Sequence, residues 1–163
     1  MLYGDQSFFR GETPLTHTWG DREQRKSIRT SSQYGTVAVI GAVDPITGEH
    51  QELVVDWVDS ESVNVFINHL SGKYKDNKIL LILDNASYHK TQGKKPEYTV
   101  PENISIMFLP PYSPDLNPQE NVWKIVKEAA FKNVLCKDSK ELKDTVINAF
   151  NSFKDHKFIF TNN

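Results

Sequence analysis

The sequence predicts an α/β domain, a mixed sheet with helices packed on its faces. Three observations predict it. The first third carries β-branched and aromatic runs punctuated by turn residues, the middle carries a continuous apolar run at residues 79–83, and the last third carries two segments with apolar side chains at helical spacing. The resulting order, three strands, a helix, two strands and two helices, is that of hairpins followed by crossovers.

Residues 2–9 (LYGDQSFF) have the content of a short strand. Residues 11–34 are polar, with Gly11, Pro14, Gly20 and many Ser and Thr, and read as a long loop of the length that compact domains keep for function or leave disordered. Residues 36–43 (TVAVIGAV) form a second strand. The turn Asp44-Pro45-Ile46-Thr47-Gly48 hands over to a third at residues 52–58, making a hairpin. Ser60, Glu61 and Ser62 open a helix whose Val63, Phe66, Ile67 and Leu70 share one face and which stops near Gly72. The run at residues 78–83 does not alternate, as expected of a strand covered on both faces, and it ends abruptly in Asp84-Asn85. Residues 104–109 give the last strand, stopped by Pro110-Pro111. Asn117 is placed as the cap and Pro118 as the first residue of a helix burying Trp123, Val126, Ala130 and Phe131. A final helix spans residues 139–153, with Leu142, Val146, Ala149, Phe150 and Phe153 on one face.

Composition narrows the class. The chain has 163 residues, and one of roughly 150 can bury about 68–70% of its unfolded surface, enough for a core. Its 38% hydrophobic and 25% charged residues are ordinary for a globular protein. The longest apolar run is far short of the roughly 20 residues of a membrane span, and no charged-then-apolar leader opens the sequence, so a cytoplasmic chain without membrane partners is expected. Cys136 is the single cysteine, which excludes an internal disulfide and a cysteine-rich zinc site, and it is read as a small buried hydrophobe. The net charge of -2 does not decide for or against nucleic acid, because an acidic metal site offsets basic surface in the sum. Basic residues cluster at Arg22, Arg25, Lys26 and Arg29, at Lys90, Lys94 and Lys95, and at Lys124 and Lys127.

Three acids draw attention by position. Asp84 stands at the carboxyl end of an apolar strand, where ligand sites of open α/β sheets lie, although Asp-Asn is also a common turn pair. Glu120 opens a helix, although Asn117-x-x-Glu120 also has the form of a capping box. Asp5 lies in a near-terminal strand, where a solvated acid is the ordinary reading. If the three converge, they form a hard oxygen donor set for divalent cations. Carboxylates about 4 Å apart repel by roughly 4 kcal/mol at an effective dielectric of 20, and two cations about 3.5–4 Å apart would offset that repulsion while serving both sides of a phosphodiester.

The residues that surround these acids carry a family resemblance. Residues 82–90 (ILDNASYHK) and 108–123 (FLPPYSPDLNPQENVW) resemble the catalytic core of the mariner-type superfamily of transposases. More narrowly they are similar to its bacterial insertion-sequence branch, the DDE superfamily endonuclease domains with two aspartates and a glutamate. Residues 5–10 (DQSFFR) resemble the first-aspartate strand, Trp19 the tryptophan of the following loop, and Gly41-Ala42 with Thr47-Gly48 the second hairpin. Thirty-five residues separate Asp84 from Glu120, which suits this branch.

The resemblance implies a ribonuclease H-like fold, a five-stranded sheet of three antiparallel and two parallel strands with helices on both faces, and a single catalytic domain over residues 1–163. It implies Asp5, Asp84 and Glu120 as catalytic residues and ligands of two Mg²⁺ or Mn²⁺ ions. Asn85, His89 and Asn117 match positions that support the ligands or meet substrate. Lys90, Lys124, Lys127, Arg22, Arg25 and Lys26 become the DNA-binding candidates, with Lys124 and Lys127 on the helix face of Glu120. The partners implied are DNA, as terminal inverted repeats and target, a second copy in a homodimer, and no membrane. The setting implied is the bacterial cytoplasm, at the nucleoid. The chemistry implied is cut-and-paste transposition, hydrolysis at element ends followed by attack of the freed 3′ hydroxyl on target DNA. Two departures stand out. Gln6 occupies a position usually held by glutamate, and the helix-turn-helix region that precedes the domain in full-length relatives has no room in these residues, which leaves open a separate helix-turn-helix subunit or reading frame of a split element, a truncated copy, or an excised domain. The alternatives are a truncated or decayed fragment that binds DNA or a partner without catalysis, and a different ribonuclease H-like nuclease, against which the proline-rich motif before Glu120 speaks.

Overall fold

The computed structural model describes residues 1–11, 35–84, 99–111, 113–132, 134, 136–154 and 156–160. The predicted loop therefore lies, but for its first residue, outside the described residues.

Five strands form one sheet. β1 (Leu2–Arg10), β2 (Thr36–Val43), β3 (His50–Val55), β4 (Ile79–Leu83) and β5 (Ile104–Phe108) are arranged in the order β3-β2-β1-β4-β5. β1 pairs antiparallel with β2 and parallel with β4, β2 pairs antiparallel with β3, and β4 pairs parallel with β5. This is the mixed sheet the sequence predicts. The turn between β2 and β3 is closed by the Asp44 carboxylate, which accepts from the Ile46 amide at 2.9 Å, and by Gly48 at a φ of 72°, a left-handed conformation that glycine adopts without strain. β3 begins two residues earlier than the predicted 52–58 and ends at Val55. Once Gly48 closes the turn, pairing starts at once with His50 opposite Val43, and Trp57, placed in the predicted strand, is instead 77% exposed beyond it.

Helices cover both faces. α1 (Ser60–Lys73) is capped by Asp59, whose carboxylate accepts from the Ser62 amide at 2.8 Å while its own amide donates to the Ser62 hydroxyl at 2.9 Å. It buries Val63, Phe66, Ile67 and Leu70 against Leu2, Ile40, Ala42, Leu81 and Leu83. On the opposite face, α2 (Gln119–Phe131) and α3 (Ser139–Ser152) enclose Phe9, Val37, Val39 and Val43 together with Val122, Trp123, Val126, Leu142 and Val146. Each such fully buried aliphatic side chain contributes about 1.5–3 kcal/mol. Cys136 is buried in this second core, as expected. Because side chains alternate along a strand, β1 sends Leu2 toward α1 and Asp5 and Phe9 toward α2. Among the described residues, no helix is long and apolar enough to cross a membrane.

Candidate active site

The site is built where β1, β4 and α2 meet. The parallel register sets Leu2 beside Leu81, Tyr3 beside Ile82 and Gly4 beside Leu83, so the same offset carried one residue on sets Asp84 beside Asp5. Adjacent strands lie about 4.8 Å apart. Alternation sends Asp84 to the face opposite Leu81 and Leu83, which belong to the α1 core, and hence to the α2 face with Asp5. Glu120 reaches the same region from the first turn of α2, where the positive end of the helix favours a carboxylate.

Electrostatics report the convergence. Asp5 is 7% exposed, and burial pushes its carboxyl up to about 7, against the lowering effects of the Gln6 backbone amide and the Trp123 indole; the negative charges of Glu120 and Asp84 raise it further. All three predicted acids thus share one electrostatic neighbourhood. Among the described residues, however, no group of three or more His, Cys, Asp or Glu side chains is gathered closely enough to hold an ion as it stands. Asp84 is half-buried, and Glu120 is exposed on the surface of its helix.

The surroundings of Asp5 are closely specified. Trp123 Nε1 donates to Asp5 Oδ2 at 2.9 Å. The ring can come so near because Gly41, opposite Asp5 in the β1–β2 register, has no side chain: a Cβ there would stand 2.6 Å from Trp123 Cη2. Trp123 also meets Phe9 edge to face, with centroids 6.2 Å apart at 86°. Beside it, Gln119 is wholly buried, and its Nε2 lies 2.9 Å from His50 Nε2, while His50 Nδ1 lies 3.2 Å from Glu52 Oε2. Among the described residues, Gln119 Oε1 has no hydrogen-bond partner.

Asn117 is where the reading from sequence is refined. The helix starts at Gln119, with Pro118 as its formal cap, one residue later than predicted. Asn117 Oδ1 still accepts from the Gln119 amide at 3.1 Å, but Glu120 makes no capping-box bond back to it. Its Nδ2 instead donates to the Gly4 carbonyl at 3.4 Å, which ties the start of α2 to the strand that carries Asp5. With Glu120 released from capping, its carboxylate is left to the site.

Of the predicted DNA contacts, Lys124 and Lys127 line a cleft of about 910 Å³ with Phe8, Arg10, Glu120 and Trp123. Lys127 Nζ lies 5.4 Å from the Phe9 ring centre. Burial pulls the Lys127 ammonium pKa down, opposed by the charges of Glu120 and Asp5. Arg10 in this cleft was not singled out from the sequence as a DNA contact, since a lone arginine at a strand end gives no periodic signal. Helical spacing places Trp123 in the core, where a buried indole N–H demands a partner. Asn85, His89, Lys90, Arg22, Arg25 and Lys26 lie outside the described residues.

The donor set suits divalent cations by its chemistry, although its members are not gathered around one point. It is all oxygen, and the Asp5 carboxyl, disfavoured in its charged form first by burial and further by two neighbouring acids, gains from any cation placed among them. The chain is similar to the uncharacterized protein y4pE/y4sA of Sinorhizobium fredii, 36% identical over 118 residues that make up 72% of this chain and 84% of that protein. It is also similar to the transposable element Tc3 transposase of Caenorhabditis elegans, 24% identical over 174 aligned positions, covering 96% of this chain and 50% of the relative, so it spans half the length of that protein. In fold it resembles the pre-cleavage Mos1 transpososome, with a TM-score of 0.51 at 14% identity, covering 99% of this chain and 56% of the other. Residues 1–143 match the DDE superfamily endonuclease family, and the chain belongs to it.

Proposed function

We propose that this chain is the catalytic domain of a cut-and-paste DNA transposase, cleaving phosphodiesters at element ends and joining the freed 3′ end to target DNA. The observation that carries the reading is the shared electrostatic neighbourhood of Asp5, Asp84 and Glu120 at one end of the sheet. In this reading Asp5, Asp84 and Glu120 hold two Mg²⁺ or Mn²⁺ ions, which supply charge stabilisation at the phosphate and activation of the attacking oxygen. Asp5 is the fixed member, held in strand β1 and by Trp123, while Glu120 comes in from an exposed position on α2. Lys124, Lys127 and Arg10 receive backbone phosphates along the cleft that leads from Glu120. Recognition of terminal repeats belongs to a helix-turn-helix region outside these residues, and two copies act together on the two ends. In this reading Asn85, next to Asp84 in the sequence, and His89, in the residues that follow, support the ligands and meet substrate.

Nicking of supercoiled DNA tests the reading. Magnesium-dependent nicking that Asp84→Ala and Glu120→Ala each abolish is expected, and activity that survives both substitutions would sink it. One observation favours a second reading, a fragment that binds DNA without cutting it: the three acids are not gathered into a ready ligand set. DNA binding with no nicking in Mg²⁺ or Mn²⁺ would select that alternative.

A further inference from the structure

We infer that Trp123 is a positioning residue for the metal centre: its indole N–H engages Asp5 Oδ2 and so fixes the rotamer in which the carboxylate meets a cation. The inference rests on the proposed metal-dependent reading of the site. A buried tryptophan is ordinarily a packing residue, and Trp123 does pack, but three features exceed what packing requires. Its Nε1 points to Asp5 Oδ2 at 2.9 Å, although the two residues lie 118 positions apart in the chain. Its ring occupies the space that Gly41 leaves opposite Asp5, a space that any other residue at 41 would close. It also stands one turn along α2 from Glu120, so a single rigid helix carries both a proposed ligand and the donor that orients another.

The physical consequence is coupling. A carboxylate on a two-bond side chain has several rotamers, and a donor bonded to one oxygen selects one of them before any cation arrives. Because that donor is carried on α2, any shift of the helix that moves Glu120 also moves the Asp5 carboxylate. The two ligands are therefore set as a pair, whereas Asp84 is set by the strand register. The Asn117 bond to the Gly4 carbonyl anchors the same helix start to the same strand.

The test separates this role from packing and from the proposed function. Mn²⁺ affinity of the full chain, without DNA, is measured by electron paramagnetic resonance for the wild type, for Trp123→Phe and for a chain with 3-benzothienylalanine at position 123, an isostere in which sulfur replaces the N–H. Removal of groups that orient metal ligands costs about 10–100-fold in affinity, and a weakening in that range is expected for both variants. A Val126→Ala chain, which loosens the same core without touching Asp5, is expected to bind Mn²⁺ as the wild type does. Wild-type affinity in the benzothienylalanine chain would overturn the positioning role, whether or not Trp123→Phe folds. Equal weakening in Val126→Ala would reduce Trp123 to a packing residue. Absence of Mn²⁺ binding by the wild type itself would overturn the metal-dependent reading and, with it, this inference.

Discussion

Trp123 reaches from the second turn of α2 to the strand at the centre of the sheet and donates to Asp5 Oδ2 at 2.9 Å. The contact depends on an empty position, Gly41, because a Cβ there would lie 2.6 Å from Trp123 Cη2, 2.9 Å from His50 Nε2 and 3.0 Å from Gln119 Nε2. Those neighbours are themselves enclosed and have little room to withdraw. Gly41→Ala is expected to destabilise the domain by about 1–3 kcal/mol, the cost of overpacking a closed core. An unchanged urea midpoint would show that the ring is free to move.

Asp5 makes stability depend on pH in metal-free protein. The unfolded residue loses its proton near 3.8 and the folded one near 7, so between those values the folded chain binds more protons and stability falls as pH rises, the loss being complete above 7. A ceiling on the order of 4 kcal/mol follows from a displacement of that size. Urea unfolding in EDTA at pH 5 and pH 8, compared between the wild type and Asp5→Asn, isolates this contribution. The wild type is expected to lose stability relative to Asp5→Asn on going to pH 8, and added Mg²⁺ to restore it. Parallel behaviour of the two proteins would mean that Asp5 titrates as an ordinary carboxylate.

The cleft residues predict a salt dependence. Each phosphate neutralised adds about −0.9 to the slope of log affinity against log salt, so Lys124→Ala and Lys127→Ala should each lower the magnitude of the slope by about that amount and weaken binding without regard to sequence. Fluorescence anisotropy with two unrelated duplexes measures both effects. A slope unmoved by either substitution would place the DNA elsewhere.

The cap of α1 provides a control remote from the site. Asp59→Ala removes the carboxylate that accepts from the Ser62 amide, while the amide of residue 59 still donates to the Ser62 hydroxyl, and should cost about 0.5–2 kcal/mol by thermal or urea unfolding, with no change in Mn²⁺ affinity. A change in metal affinity would reveal coupling across the sheet that the separate cores do not suggest.

The fold was legible because its signals are local. The unalternating residues 79–83 point to a strand covered on both faces, and Ile79, Leu81 and Leu83 lie in the α1 core while Ile82, on the other face, is buried as well. Errors fell at boundaries, where tertiary pairing decides. Trp57 looked like strand by composition, but the turn at Gly48 fixes the register and the strand ends at Val55. The acids could be proposed one by one, each with an ordinary alternative, and their convergence depends on register and on helix placement that sequence spacing does not encode. Least legible were the residues that shape the site without being acidic. Gly41, Trp123 and Gln119 act through long-range contacts, and in the sequence they are a strand glycine, a core tryptophan and a residue at the start of a helix.

Crystals soaked in Mn²⁺ and measured for anomalous scattering address the metal centre at its atoms. Peaks within ligand distance of Asp5 and at least one of Asp84 and Glu120 are predicted, with the Trp123 indole still bonded to Asp5 Oδ2. Density elsewhere on the molecule, or none near Asp5, would contradict the account.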